Sequence, residues 1–269
     1  MSRPRQQRLP SRPSTIVAFT TDFGAADGYV AAMKAAVLVH AGTTSATDRL
    51  HLIDVSHAVP PQDVLRGSVV LERAVADLPP GTIHVAVVDP GVGTDRRLLA
   101  VTCRRQTILC PDNGLITWSW RRHGGLAREI VWRPAGGAAS ATFHGRDILA
   151  PVAGILAAGR SPGSLTRTIS SPLLLDLHPA EPGAERGTVI AFDHYGNAIT
   201  NVPTEVLPAG ASVRVGRRAI GPVRRTYGEV PIGRPLALVG SAGLLEIAVR
   251  NGSARASLSL KVGDEVRLR

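Results

Sequence analysis

The feature that most constrains this chain is an alternation between Thr15 and Val88. Short apolar runs that end in polar loops take turns with longer stretches at helical spacing. Thr15 to Phe19 stops at Thr20-Thr21-Asp22-Phe23-Gly24 and reads as a buried strand. Asp27 is positioned to cap a helix running to about His40, with Val30, Met33 and Val37 on one face. Leu52 to Val55 reads as a second strand. Asp63 to Leu78 reads as a second helix, with Val64, Leu71, Val75 and Leu78 at helical spacing and Pro79-Pro80-Gly81 ending it. Ile83 to Val88 is a third strand, apolar apart from His84, of the kind found in a parallel sheet covered on both faces. Strand, helix, strand, helix, strand implies an α/β domain: a central, mostly parallel sheet flanked by helices.

Beyond Val88 the texture changes. Leu98 to Thr102 and Thr107 to Leu109 read as a hairpin, and Asp147 to Ala158 as a helix ended by Gly159. Ser161 to Arg186 is rich in Pro, Ser and Gly and reads as a linker. After Gly187 come short strands and turns: Thr188 to Phe192, Ala198 to Asn201, Ser212 to Val215, Leu236 to Val239, Leu245 to Val249 and Ala256 to Leu260. No helix of normal length fits there, which implies a second, small, all-β domain. The expected organisation is a flexible basic tail over 1–14, an α/β domain over 15–160, a linker over 161–186 and the β domain over 187–269.

Composition excludes several classes. Hydrophobic residues make up 44% and charged residues 19%, as in a globular chain. No apolar run reaches the length of a membrane span. The Arg-, Pro-, Gln- and Ser-rich start lacks the apolar stretch of a secretory signal, which implies a cytoplasmic protein. The net charge of +10 raises the question of a nucleic-acid partner, but the arginines are scattered, and aromatics, at 4%, do not interleave them. Cys103 and Cys110 could face each other across the hairpin; two cysteines make neither a disulfide scaffold nor a zinc site, and buried free thiols are expected.

In open α/β sheets ligands bind beyond the carboxyl ends of the strands. Three polar clusters fall there: Thr20-Thr21-Asp22, then Asp54-Val55-Ser56-His57, then Asp89-Pro90-Gly91-Val92-Gly93 followed by Arg96-Arg97. Any one of them could be a mere cap; three in succession favour a site. Phe143-His144-Gly145-Arg146-Asp147 precedes a helix, where free N–H groups collect. Asp193 to Asn197 and Gly240 to Gly243 read by composition as turns. There is no dinucleotide fingerprint, phosphate-cradling loop, nucleophile elbow or zinc spacing.

Taken together, Thr20-Thr21-Asp22-Phe23-Gly24, Val87-Val88-Asp89-Pro90-Gly91-Val92-Gly93, Pro111-Asp112-Asn113-Gly114, Phe143 to Asp147, Tyr195 to Asn201 and Gly240 to Ala248 resemble the S-adenosylmethionine hydroxide adenosyltransferase family, hydrolase relatives of the bacterial fluorinase and chlorinase. The resemblance runs from about Ile16 to the C-terminus. It implies an α/β domain followed by a β-barrel-like domain, and a homotrimer with each substrate held between the first domain of one subunit and the second domain of its neighbour. The family's catalytic set falls on Asp89, Arg96 and His144, with Arg97 an adjacent alternative. Its ribose-binding aspartate matches Asp22. Its remaining substrate contacts match Asp193, Asn197 and Ser241, and less closely Asp27, Asn113, Glu246 and Asn251. The halide-using relatives build their pocket from an aromatic and a small hydroxyl residue, where this chain has Asp89 and Gly145. They also carry an Arg after the serine that matches Ser241, where this chain has Ala242.

The resemblance therefore implies hydrolysis of S-adenosyl-L-methionine at C5′ to adenosine and L-methionine, with no metal or cofactor. The competing expectations are a halogenase of the same fold, a non-catalytic adenosine or S-adenosylmethionine sensor, and a nucleic-acid binder.

Overall fold

The computed structural model describes residues 14–42, 49–137 and 139–269, so the expected tail lies, apart from Ser14, outside them. The chain divides into two units, neither of them contiguous. One comprises Met1–Gln62, Ala74–Asn113 and Gly125–Pro172; the other comprises Asp63–Arg73, Gly114–Gly124 and Leu173–Arg269.

The first unit is built on β1 (Thr15–Thr21), β2 (Leu50–Ser56), β3 (Ile83–Val87), β4 (Leu98–Cys103), β5 (Gln106–Pro111), β6 (Leu126–Ile130) and β7 (Thr166–Thr168). They form one sheet in the order β2-β1-β3-β5-β4-β6-β7. β2-β1-β3-β5 pair in parallel, whereas β5-β4-β6-β7 pair antiparallel, so the sheet is mixed, with the expected parallel strands at one side. β3 is buried along its whole length, as its apolar run implies. The one polar side chain in it, His84, meets Gln106 Oε1 at 2.5 Å, and Gln106 in turn donates to the carbonyls of Val75 and Leu78. β7 forms inside the stretch read as a linker and extends the sheet by one strand.

Helix α1 (Tyr29–Ala41) buries Met33 and Val37 against the sheet. Its N-cap is Gly28 with φ 72, not Asp27, and no side chain caps it. A left-handed cap residue suits glycine and turns the chain away from β1 before the helix starts. The helix read from Asp147 starts as a π-helical turn, Gly145–Leu149, and continues as an α-helix over Ala150–Ala157. A Cβ at Gly154 would lie 2.4 Å from the carbonyl oxygen of Val37, so glycine lets this helix lie directly on α1.

The β4–β5 turn is two residues long, Arg104 and Arg105, with φ 47 and 61. Positive φ at both positions is the hairpin geometry that follows strand twist. It pairs Cys103 with Gln106 and Cys110 with Leu99, so the cysteines do not face each other. Both are buried, and neither forms a disulfide.

The second unit contains a closed barrel of β8 (Arg186–Phe192), β9 (Ala198–Pro203), β10 (Ser212–Val215), β11 (Arg218–Arg224), β12 (Pro235–Val239), β13 (Leu244–Val249) and β14 (Glu265–Leu268), ordered β10-β11-β12-β13-β9-β8-β14. Val189, Val213, Leu245, Ile247 and Val266 fill it. Ala256 to Leu260, read as a strand, is instead preceded and entered by a short helix, Ala254–Ser257. The Ser253 hydroxyl caps that helix by accepting from the Ala256 N–H. A second apolar cluster, Val69, Trp118, Leu177, Ile190 and Leu244, joins the start of helix α2 (Val64–Asp77) and helix α3 (Thr117–His123) to barrel strands. Among the described residues no helix is long and apolar enough to cross a membrane.

Candidate active site

β1 runs parallel to both β2 and β3, and the chain leaves it in opposite directions along the sheet. Such a switch point opens a crevice at the carboxyl ends of the strands. Thr21 is in register with Val87, so Asp22 and Asp89 leave neighbouring strands at the same sheet edge.

Asp89 opens a tight loop: Val92 N–H donates to the Asp89 carbonyl and Thr94 N–H to the Gly91 carbonyl. The loop returns Arg96 toward Asp89. Arg96 Nε lies 2.7 and 2.8 Å from the two Asp89 carboxylate oxygens, and Nη2 also donates to Oδ2. Their side chains are only 8% and 5% exposed, so the pair is buried. The other face of the guanidinium meets His144: Nη1 and Nη2 are each 3.1 Å from Nδ1. A guanidinium only donates, so Nδ1 accepts and neutral His144 carries its proton on Nε2. Burial, then the Arg96 charge, pushes the imidazole below its ordinary pKa, with Asp89 opposing. Arg96 and His144 line a cavity of about 480 Å³ with Arg97, Glu129, Arg133 and Ile148.

The structure separates the two adjacent arginines. Arg97 pairs with Asp112 and donates to the Ser171 carbonyl, and only Arg96 bridges Asp89 and His144. Asn113 Nδ2 donates to the Val88 carbonyl at 2.8 Å and so fixes the start of the Asp89 loop. Asp22 Oδ2 accepts from the Gln62 N–H at 2.8 Å. Phe23, Tyr29 and Phe143 pack edge to face, with ring centroids 5.4 to 5.8 Å apart. That cluster ties the Asp22 loop to the segment bearing His144. Asp27 is exposed in the turn before α1.

In the second unit Asp193 accepts from both the backbone and the side-chain amide of Asn197 at 2.8 Å. Burial, then the nearby Asp193 charge, raises the Glu246 carboxyl above its usual range, opposed by a Tyr227 hydrogen bond and the Arg73 charge. Ser241 and Asn251 are exposed at turns, Asn251 with φ 52. In the sequence Tyr227 stands between polar turns with no pattern to mark it.

The first unit holds a buried Asp–Arg–His cluster at a sheet switch point, an arrangement typical of an enzyme site, and the barrel unit bears carboxylates of its own. The family models agree in extent: the SAM hydroxide adenosyltransferase N-terminal domain matches residues 17–166 and the C-terminal domain residues 187–267. The chain belongs to the SAM hydroxide adenosyltransferase family. It is 44% identical to a Thermus thermophilus protein named (R)-S-adenosyl-L-methionine hydrolase, over 94% of this chain and 98% of that one. An Actinoplanes fluorinase is 25% identical over 95% of this chain and 97% of its own. A crystal structure of an uncharacterized conserved protein from Thermotoga maritima superposes with a TM-score of 0.83 at 35% identity, covering 94% of this chain and 100% of that one.

Proposed function

We propose that this chain hydrolyses S-adenosyl-L-methionine, with water attacking C5′ to give adenosine and L-methionine. The observation that carries the reading is the Arg96 guanidinium held between the Asp89 carboxylate and His144 Nδ1. A carboxylate there repels a halide and accepts a hydrogen bond from water. Gly145 adds no side chain, and a Cβ would already lie 3.4 Å from Met33 Sδ and Val87 Cγ2. Both features favour water over halide.

The sulfonium is already a good leaving group, so the step needs an oriented nucleophile rather than an acid, a metal or a cofactor. Asp89 accepts a hydrogen bond from the water, and His144 donates to its oxygen through Nε2–H. Arg96 fixes both partners and offsets the carboxylate charge. As the C5′–O bond forms and the C–S bond breaks, the electron pair leaves on the methionine sulfur. The surplus water proton passes to Asp89 and then to solvent. Asp22 accepts from the ribose hydroxyls and holds C5′ in line. Asp193, Asn197, Ser241 and Glu246 take the amino-acid end, with Asp27, Asn113 and Asn251 as outer contributors.

The reaction run in ¹⁸O-labelled water, separately on the R and S sulfonium epimers, is expected to put the label in the adenosine 5′-hydroxyl. Label in methionine, or halogenated adenosine in the presence of halide, would overturn the reading.

The split of polar residues between two units supports a homotrimer whose sites lie between subunits. Light scattering is expected to give three times the 28.2 kDa chain mass, or a multiple of that. A monomer fully active at assay concentration contradicts it. Two buried cysteines that form no disulfide fit a reducing, cytoplasmic setting.

A further inference from the structure

Beside the Arg96 cluster the same sheet edge carries a second polar network that the reaction as described leaves unused. Thr21 Oγ1 is 2.8 Å from His57 Nδ1, and His57 Nε2 is 2.9 Å from Asp54 Oδ1. Lys34 Nζ reaches the other oxygen, Asp54 Oδ2, at 2.6 Å. The directions of these bonds can be assigned. The Asp54 carboxylate only accepts, so His57 Nε2–H donates to it. In the neutral ring Nδ1 then accepts from the Thr21 hydroxyl, whose oxygen also accepts from Phe23 N–H at 3.2 Å.

Threonine, histidine and aspartate in this order are also the parts of a nucleophile triad. Thr21 is 0% exposed, however, so its hydroxyl meets no substrate. The network acts instead on the loop after β1. The His57 carbonyl accepts from the Gly24 N–H at 2.8 Å. One residue therefore grips this loop on both sides of Asp22, through its ring at Thr21 and through its backbone at Gly24. A few residues on, Gln62 N–H holds the Asp22 carboxylate itself.

We infer that His57 is a positioning residue for the substrate, fixing the loop that carries Asp22 and so the ribose and C5′. The inference rests on the reading of Asp22 as the ribose acceptor. Its physical basis is the steep dependence of an in-line displacement on alignment: a shift of about 1 Å costs roughly a hundredfold in rate.

The test is steady-state kinetics on the full-length protein, with the folded fraction measured for each variant. His57→Phe keeps the backbone carbonyl and removes both ring nitrogens. It is expected to raise KM for S-adenosyl-L-methionine about tenfold as the Asp22 loop loosens, and to lower kcat by up to about a hundredfold as C5′ leaves the line of attack. His57→Asn supplies an oxygen that can accept from Thr21 and is expected to recover most of that loss. Asp22→Ala is the reference and is expected to raise KM strongly. In the Asp22→Ala background, His57→Phe is expected to add less than about twofold, because coupled residues do not act additively. A purely structural His57 would lower stability, leave KM unchanged and show no rescue by asparagine. That outcome, or full additivity with Asp22→Ala, overturns the inference alone. A normal KM in Asp22→Ala overturns the ribose assignment and the inference with it.

Discussion

His144→Ala is expected to lower kcat by about two orders of magnitude or more, the cost of losing the hydrogen bond that orients the attacking water. KM should change little, because His144 is assigned to the water and not to either end of the substrate. Arg96→Ala should cost at least as much in kcat and should also lower stability. It strips the partner from a carboxylate that is 5% exposed, and breaking a buried pair in this way costs about 3–5 kcal/mol. The two losses should not add. Arg96 holds the His144 ring by two donors 3.1 Å from Nδ1, so once the ring is gone Arg96 has lost half of its task. Melting temperature and single-turnover rate, measured on the same preparations, separate chemistry from folding. A His144→Ala protein that turns over normally would end the case for the cluster.

The second large effect concerns Gly93, in the loop that returns Arg96 to Asp89. Gly93 has φ +83, and a Cβ there would lie 2.4 Å from the Ala141 carbonyl oxygen. Gly136 has the same φ of +83 with nothing within 4 Å of such a Cβ. Gly136→Ala should therefore cost only the left-handed conformation, about 1–2 kcal/mol. Gly93→Ala adds a collision with backbone, which cannot swing aside as a side chain can, and should cost about 3 kcal/mol or more. Activity per folded molecule should fall for Gly93→Ala alone, since the loop and Arg96 must move. Urea unfolding of both variants checks this, and equal costs would contradict it.

How much of this was legible in the sequence depended on how local the determinant was. The three parallel strands β1, β2 and β3 announce themselves as apolar runs, and the polar residues just past them mark the site. Register was another matter. The hairpin was visible, but its turn is Arg104-Arg105, not the Asn-Gly pair that usually signals positive φ, so the offset between Cys103 and Cys110 could not be placed. β11 reads Arg-Ala-Ile-Gly-Pro-Val-Arg, a poor strand by propensity, and exists because the barrel must close. Ala256, Leu258 and Leu260 alternate like a strand, yet Ser253 caps a helical turn there. Asp27 looked like a cap, but Gly28, with its left-handed φ, took that place. The family resemblance named two adjacent arginines, and only folding shows that Arg96 meets His144 while Arg97 turns to Asp112. His57 stood in a recognised polar cluster, but its task depends on Thr21 and Gly24, more than thirty positions away.

The barrel's Trp118 cluster has an evolutionary consequence. Trp118 and Val69 come from stretches of chain that precede the barrel and are embedded within the sequence of the sheet-bearing unit. A recombination event joining this barrel to a foreign partner anywhere in 167–176 would deliver its strands without that tryptophan or valine. The newcomer would expose Leu177, Ile190 and Leu244 instead of burying them. The barrel is thus not a portable module, and genetic exchange is expected to transmit it together with the segments that carry Val69 and Trp118.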